Sequence, residues 1–192
     1  MASIRAIVGL GNPGPQYADT RHNAGFWFLE RLADRRGVSF RAESKLDGEL
    51  ATHGVGDGRL FLFKPASFMN ESGGPVGKFL RYYRIEPSEV LVAYDELDLE
   101  PGDVRLKQGG GHGGHNGLRD LFRHLPATDF ARLRIGIGHP GHKDRVTGHV
   151  LGRPSVAENR AIDDAIDRAL DQVPDVLSGH WNRAVKQLHT AA

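Results

Sequence analysis

A chain of 192 residues, 39% hydrophobic and 26% charged, is long enough to bury its own core, and we read it as one domain spanning residues 1–192. Its formal net charge of +1 gives no bulk attraction to nucleic acid, although a local basic patch is compatible with it. The absence of cysteine excludes disulfides, thiolate catalysis and cysteine-ligated zinc; no run approaches the roughly 18 apolar residues of a membrane span, and the apolar start lacks a basic leader, so a cytoplasmic location with no membrane partner is expected.

Residues 4–10 read as a short buried strand, followed by Gly11-Asn12-Pro13-Gly14-Pro15, which must turn. A helix is expected over 23–34, where Phe26, Leu29, Leu32 and Ala33 recur at helical spacing and Arg35-Arg36-Gly37 supplies an end. Residues 46–53 and 59–63 read as antiparallel strands joined through Gly56-Asp57-Gly58, with Pro65 stopping the ladder. A second helix is expected over 70–83, with Val76, Phe79, Leu80 and Tyr83 on one face. Residues 90–94 form an unbroken apolar run, as in a central strand, whereas 103–107 alternate like an edge strand. Leu118, Leu121, Phe122 and Leu125 mark a third helix, and 133–138 a further strand. Ser155 with Glu158 three residues on is a capping box for a fourth helix, whose outer residues Asp163, Asp164, Asp167 and Asp171 read as a solvated acidic face. A short helix over 181–188 closes the chain. This order predicts an α/β fold, a twisted mixed β-sheet flanked by α-helices.

The polar residues that need explaining follow strand ends or precede helices, where ligands gather in open α/β sheets: Asn12, His22, Asn70, Asp95 and Asn116. His22 stands just before the first helix, whose positive potential disfavours imidazolium and leaves a neutral base. Asp95 can orient it through the other ring nitrogen. The plainer readings are a helix-flanking histidine, a loop-capping aspartate, and Asn70 and Asn116 as helix caps. Without a Gly-x-Ser-x-Gly elbow or a cysteine, water activated by His22 is the simplest nucleophile, with amides near the oxyanion.

Gly9-Leu10-Gly11-Asn12-Pro13-Gly14 is not a dinucleotide fingerprint, because its spacing is wrong and Pro13 and Pro15 disturb the required turn and helix. The run from Lys107 through Gly109-Gly110-Gly111-His112-Gly113-Gly114-His115 to Asn116-Gly117 is the unusual feature, and it is not a Walker loop, since no Gly-Lys-Ser/Thr follows. It reads as an anion-receiving loop or a mobile lid. The pairs His112/His115 and His139/His142 lack a zinc-protease pattern, so neither a metal nor a cofactor is expected. Lys107, Arg132, Arg134, Lys143, Arg145 and Arg153 make a basic rim able to hold phosphates; Arg132 and Arg134 share strand parity and face the same way. Phe68 and Met69 either line a pocket beside Asn70 or pack in the core.

Taken together, Gly9-Leu10-Gly11-Asn12-Pro13-Gly14, Thr20-Arg21-His22-Asn23-Ala24-Gly25, Lys64-Pro65-Ala66-Ser67-Phe68-Met69-Asn70-Glu71-Ser72-Gly73, Asp95-Glu96-Leu97-Asp98, the glycine run 109–117 and Arg132-Leu133-Arg134-Ile135-Gly136-Ile137-Gly138 resemble the bacterial peptidyl-tRNA hydrolase family, in family order and over nearly the whole chain. The resemblance implies a monomeric enzyme that cleaves the ester between peptide and tRNA in prematurely released peptidyl-tRNA. It implies His22 as base, Asp95 as its orienting partner, and Asn12 and Asn116 near the ester. Tyr17, Phe68, Met69, Asn70, His115 and Asn116 become substrate contacts, and Lys107 and Arg134 a clamp on the RNA phosphate backbone at the acceptor end. Departures are mild: Ser67 stands where threonine is common, and His142 at a frequently acidic position. Two rivals are a metal-dependent peptidase or phosphorylase and a catalytically silent RNA-binding domain.

Overall fold

The computed structural model describes residues 2–190. Its elements are β1 (Ala6–Gly9), α1 (Ala24–Arg36), β2 (Arg41–Glu43), β3 (Gly48–His53), β4 (Leu60–Pro65), α2 (Gly73–Tyr83), β5 (Val90–Glu96), β6 (Val104–Gln108), α3 (Asn116–His124), β7 (Ala131–Gly136), α4 (Val146–Val150), α5 (Val156–Leu177) and α6 (Trp181–Thr190). Seven strands form one mixed sheet in the order β2-β3-β4-β1-β5-β7-β6. β4, β1, β5 and β7 run parallel, and the antiparallel pairs lie at the two margins. All carboxyl ends of the four central strands therefore meet at one edge. The mixed directions expected from sequence do not scatter the site, because antiparallel strands are confined to the flanks.

Strand parity divides the core. Ile7, Leu91, Ala93, Leu133 and Ile135 pack with α1, α5 and α6 on one face. Val8, Val92, Tyr94 and Phe130 pack with α2 and α3 on the other. Both faces being covered explains the continuous apolar runs of β1 and β5. α1 ends as its sequence requires: Gly37 takes a left-handed φ of 67°, and its N–H returns to Ala33 and Asp34. At the other end α1 sits unusually close to the sheet. A Cβ on Gly9 would lie 2.6 Å from the Gly25 carbonyl oxygen, and one on Gly25 would strike the Ala93 carbonyl. Two missing side chains thus let the helix start next to the ends of β1 and β5. α2 is tied to α3 by the Gly73 N–H, which donates to Asp120 Oδ2 at 2.7 Å.

Several expectations need correction. β2 and α4 are absent from the sequence reading; both are short, and β2 has an exposed surface without an apolar pattern. α2 starts at Gly73 rather than at residue 70, because Met69–Glu71 close a separate 3-10 turn. β7 occupies Ala131–Gly136, two residues earlier than 133–138. The acidic face of α5 is not simply solvated. Arg31 donates to Asp163 at 2.5 Å and Arg35 to Asp171 at 2.8 Å, with Asp167 between them, so these carboxylates dock α5 on α1; Asp164 alone fits the solvated reading. Among the described residues no helix is long and apolar enough to cross a membrane.

Candidate active site

Asp95 is the next-to-last residue of β5, with the parity of Leu91 and Ala93, and is 2% exposed. His22 reaches it from a single 3-10 turn, Arg21–Asn23, that leads into α1. His22 Nδ1 and Asp95 Oδ2 lie 2.8 Å apart. His115 approaches from the opposite face of the sheet, and its Nε2 lies 2.8 Å from Asp95 Oδ1. One buried carboxylate therefore bridges two imidazoles.

Hydrogen bonding decides the tautomer of one of these rings. His115 is the N-cap of α3, and its Nδ1 accepts from the N–H groups of Gly117 and Leu118 at 3.1 and 3.2 Å. An accepting Nδ1 puts the ring proton on Nε2, which donates to Asp95. This cap corrects the sequence reading of Asn116 as the helix cap; Asn116 is instead the first residue of the helix and is exposed to the cleft. Nor does Asn70 cap α2, whose N-cap position is Ser72.

The electrostatics also differ from expectation. Burial alone would lower the pKa of His22, but the Asp95 charge and hydrogen bond outweigh it and hold the imidazole above the usual 6.5. The helix-end effect invoked from sequence is thus overridden by the carboxylate. Burial pushes Asp95 up, yet the two imidazoles facing it win and keep its carboxyl well below the usual carboxylate range. His22 is a stronger base than a free histidine, and its Nε2 remains available to the cleft.

Asn12 follows β1 and is buried. Its backbone is clamped on both sides by Asn23, whose Oδ1 accepts from Asn12 N–H at 2.8 Å and whose Nδ2 donates to Asn12 O at 2.9 Å. Asn12 Oδ1 accepts from the Met69 N–H at 2.6 Å. The carbonyl end of this amide is therefore engaged, leaving its N–H₂ as the group it offers the cleft. Asn23 was not singled out from sequence; its position within Thr20-Arg21-His22-Asn23 was the available signal.

The cleft, about 220 Å³, brings together Asn12, His22, Met69, Asn70, Asp95, His115 and Asn116. His112, Gly113 and Gly114 form one wall, and Val146, Thr147, Val150 and Leu151 of the α4 region form another. The sequence reading missed this second wall. Arg21 holds it: its N–H donates to Gly152 O at 3.0 Å, its Nη1 to His149 O at 2.9 Å, and it pairs with Glu158. Tyr17 and Phe68 stand outside the cleft lining as an edge-to-face pair with centroids 6.0 Å apart. Phe68 is half-exposed, which rules out core packing for it.

Lys107 and Arg134 lie on one face of the β6–β7 pair as diagonal neighbours, since Lys107 is opposite Arg132 and Arg105 opposite Arg134. Lys107 is exposed; Arg134 donates to Glu96 at 2.9 Å. Arg132 does not belong to a basic rim. It is 1% exposed, because the glycine-rich segment lies over it.

His22, Asp95 and His115 offer three ligand atoms within 4.8 Å of one another, enough for a metal by distance. The donor chemistry opposes it. His115 Nε2 carries its proton as long as Nδ1 caps α3, and a metal there would require inverting that tautomer against two backbone N–H groups.

The family described as peptidyl-tRNA hydrolase matches residues 6–192. A peptidyl-tRNA hydrolase of Xanthomonas campestris pv. campestris is 54% identical over 190 residues, covering 99% of this chain and 98% of the relative. One from Halorhodospira halophila is 54% identical over 186 residues, covering 97% and 96%. The crystal structure of peptidyl-tRNA hydrolase from Acinetobacter baumannii superposes with a TM-score of 0.95 at 49% identity, covering 99% of this chain and 96% of that one. With half its residues shared along essentially the full length, and with the same mixed sheet beneath them, the chain belongs to the bacterial peptidyl-tRNA hydrolase family.

Proposed function

We propose that this chain hydrolyses the ester between peptide and tRNA in peptidyl-tRNA, releasing free peptide and reusable tRNA, with His22 as general base. The observation that carries the base assignment is the 2.8 Å hydrogen bond from His22 Nδ1 to the buried Asp95, which leaves Nε2 to the cleft. Nε2 takes a proton from water as the water oxygen bonds to the ester carbonyl carbon. The negative charge that develops on the carbonyl oxygen is met by amide donors, of which the Asn12 N–H₂ is the best prepared; Asn70 and Asn116 add exposed amides at the same mouth. The C–O ester bond then breaks, and the ribose oxygen leaves with the proton from His22. Asp95 orients the ring and stabilises the imidazolium, without itself accepting the proton.

Met69, His115 and the Tyr17–Phe68 pair are the substrate-side contacts, and Lys107 and Arg134 hold phosphate at the acceptor end of the RNA. No cofactor enters this scheme. We take the chain to act as one domain over residues 1–192, as a cytoplasmic monomer. The test compares the wild-type chain with His22→Ala on purified peptidyl-tRNA. Turnover should fall by about 10³-fold, within the range for losing a general base, while tRNA affinity stays within a few-fold. Full turnover in the variant would defeat the base assignment, and no release by the wild-type chain would leave a silent RNA-binding domain.

A further inference from the structure

We propose that Arg132 is a positioning residue for the hydrolysis inferred above: its buried guanidinium staples the glycine-rich segment 109–114 across the sheet and so builds one wall of the cleft. The need for a staple follows from topology. β6 runs antiparallel to β7, and its last residue, Gln108, lies opposite Ala131 at the start of β7, the sheet edge away from the cleft. His115 must nevertheless reach Asp95, which is level with Ile135. The chain after β6 therefore returns over the sheet face past four strand residues, about 13 Å at strand spacing.

That return path is held at its ends, where the Gly109 N–H donates to Phe130 O at 3.2 Å and the Gly114 N–H to His112 Nδ1 at 3.0 Å, and little holds it between. Gly109, Gly110, Gly113 and Gly114 all take positive φ, at 62°, 104°, 58° and 81°. Glycine has the most backbone freedom to lose and no side chain with which to pack. Arg132 supplies the missing contacts. Its Nη2 donates to the Gly110 carbonyl and its Nη1 to the Gly111 carbonyl. Its guanidinium lies 5.1 Å from the Phe130 ring centre and 5.6 Å from that of Phe122. The His112 ring packs edge-on against the same Phe122 at 5.7 Å and lines the cleft. The far end of the loop is fixed independently by the His115 cap on α3.

A charge is an odd choice here. Arg132 sits directly opposite Lys107 on the same sheet face, a like-charge pairing that opposes strand association. Between two aromatic rings, an apolar side chain of similar length would pack as well, and buried charges commonly bring no net stability over such a replacement. What only arginine provides is a rigid fork whose two arms reach successive carbonyls. The charge is therefore explained by the loop it holds.

The test uses the full chain and the variants Arg132→Met and Arg132→Lys, read by amide hydrogen exchange and by steady-state kinetics on purified peptidyl-tRNA. In Arg132→Met, exchange over 110–114 should rise by at least about tenfold while β5 and β7 stay within about threefold, tenfold being the change that losing even one charge-assisted bond to a carbonyl gives. KM should rise by about tenfold with kcat within about threefold, since the loop forms a wall but carries neither His22 nor Asp95. For the same reason the acid limb of kcat/KM should not move. Arg132→Lys, which keeps the charge but loses the fork, should fall between, and it carries the test if the Met variant does not fold. Unchanged loop exchange, a uniform rise across the whole sheet, or a freed loop with unchanged KM would each overturn the proposal. The exchange measurement does not depend on the chemistry, so an inert wild-type chain would sink the hydrolase reading while leaving the staple testable.

Discussion

Asp95→Asn is the sharpest test of how the two imidazoles divide one carboxylate. An asparagine has one acceptor oxygen and one donor nitrogen where Asp95 has two acceptors. His115 cannot adapt, because its Nδ1 accepts from Gly117 and Leu118 and its Nε2–H must find an acceptor. The amide oxygen therefore goes to His115, and the N–H₂ faces His22 Nδ1. That turns Nδ1 into an acceptor and moves the His22 proton to Nε2, the nitrogen that receives a proton from water in the mechanism we propose. The same substitution removes the charge that held His22 above 6.5, leaving burial to push its pKa down. Wrong-tautomer substitutions of this kind cost serine-protease triads about 10⁴ in kcat, so a loss of about 10³ to 10⁴ is expected here, roughly 4–5.5 kcal/mol of transition-state stabilisation. KM should change little. The assay is peptide release from purified peptidyl-tRNA under single-turnover and steady-state conditions across pH, with circular dichroism to verify the fold. For the wild-type chain the base must be neutral, so kcat/KM should decline as pH falls through a value above 6.5. An Asp95→Asn chain that keeps more than about a tenth of the wild-type kcat, with its acid limb in place, would refute the tautomer argument, because a loss that small is within reach of simple repacking.

Charge removal at Lys107 or Arg134 should weaken tRNA binding and reduce the slope of log affinity against log salt by about 0.7–0.9 for each phosphate no longer neutralised; an unchanged slope counts against the clamp. His115→Asn separates two jobs. Its shorter side chain can still cap α3 but cannot reach Asp95, so both His115→Asn and His115→Ala should lose turnover and the Asp95 hydrogen bond, while His115→Asn should stay about 1 kcal/mol more stable than His115→Ala in thermal denaturation; equal thermal stability in the two variants would argue against the cap. Gly25→Ala places a methyl group against the Ala93 carbonyl and should destabilise the fold by about 1–3 kcal/mol in chemical denaturation, because helix α1 must lift off β1 and β5. A neutral result there would mean that the helix start is not as tightly seated as described.

Much of this molecule is written locally. The stripe of Phe26, Leu29 and Leu32, the Gly37 end, the Ser155–Glu158 box and the apolar runs of β1 and β5 each specify an element through neighbours a few residues away, and the structure has them. His22, Asp95, Asn12, Asn70 and Asn116 were legible as candidates for the same reason: each is a polar residue at a strand or helix end, and the spacing of short motifs around them is specific to one family. Their partnerships were not legible. Which ring nitrogen faces Asp95, that His115 rather than Asn116 caps α3, that Asn23 clamps Asn12, and that Arg31 and Arg35 neutralise the acidic side of α5 all join residues distant in sequence. Arg132 shows the limit best. Parity correctly put it on the face shared with Arg134, but whether that face meets solvent depends on the path of a glycine run with no side chains to announce it. Periodicity records which way a residue points; only the assembled chain decides what it meets there, because burial and hydrogen bonding are set by contacts across the fold.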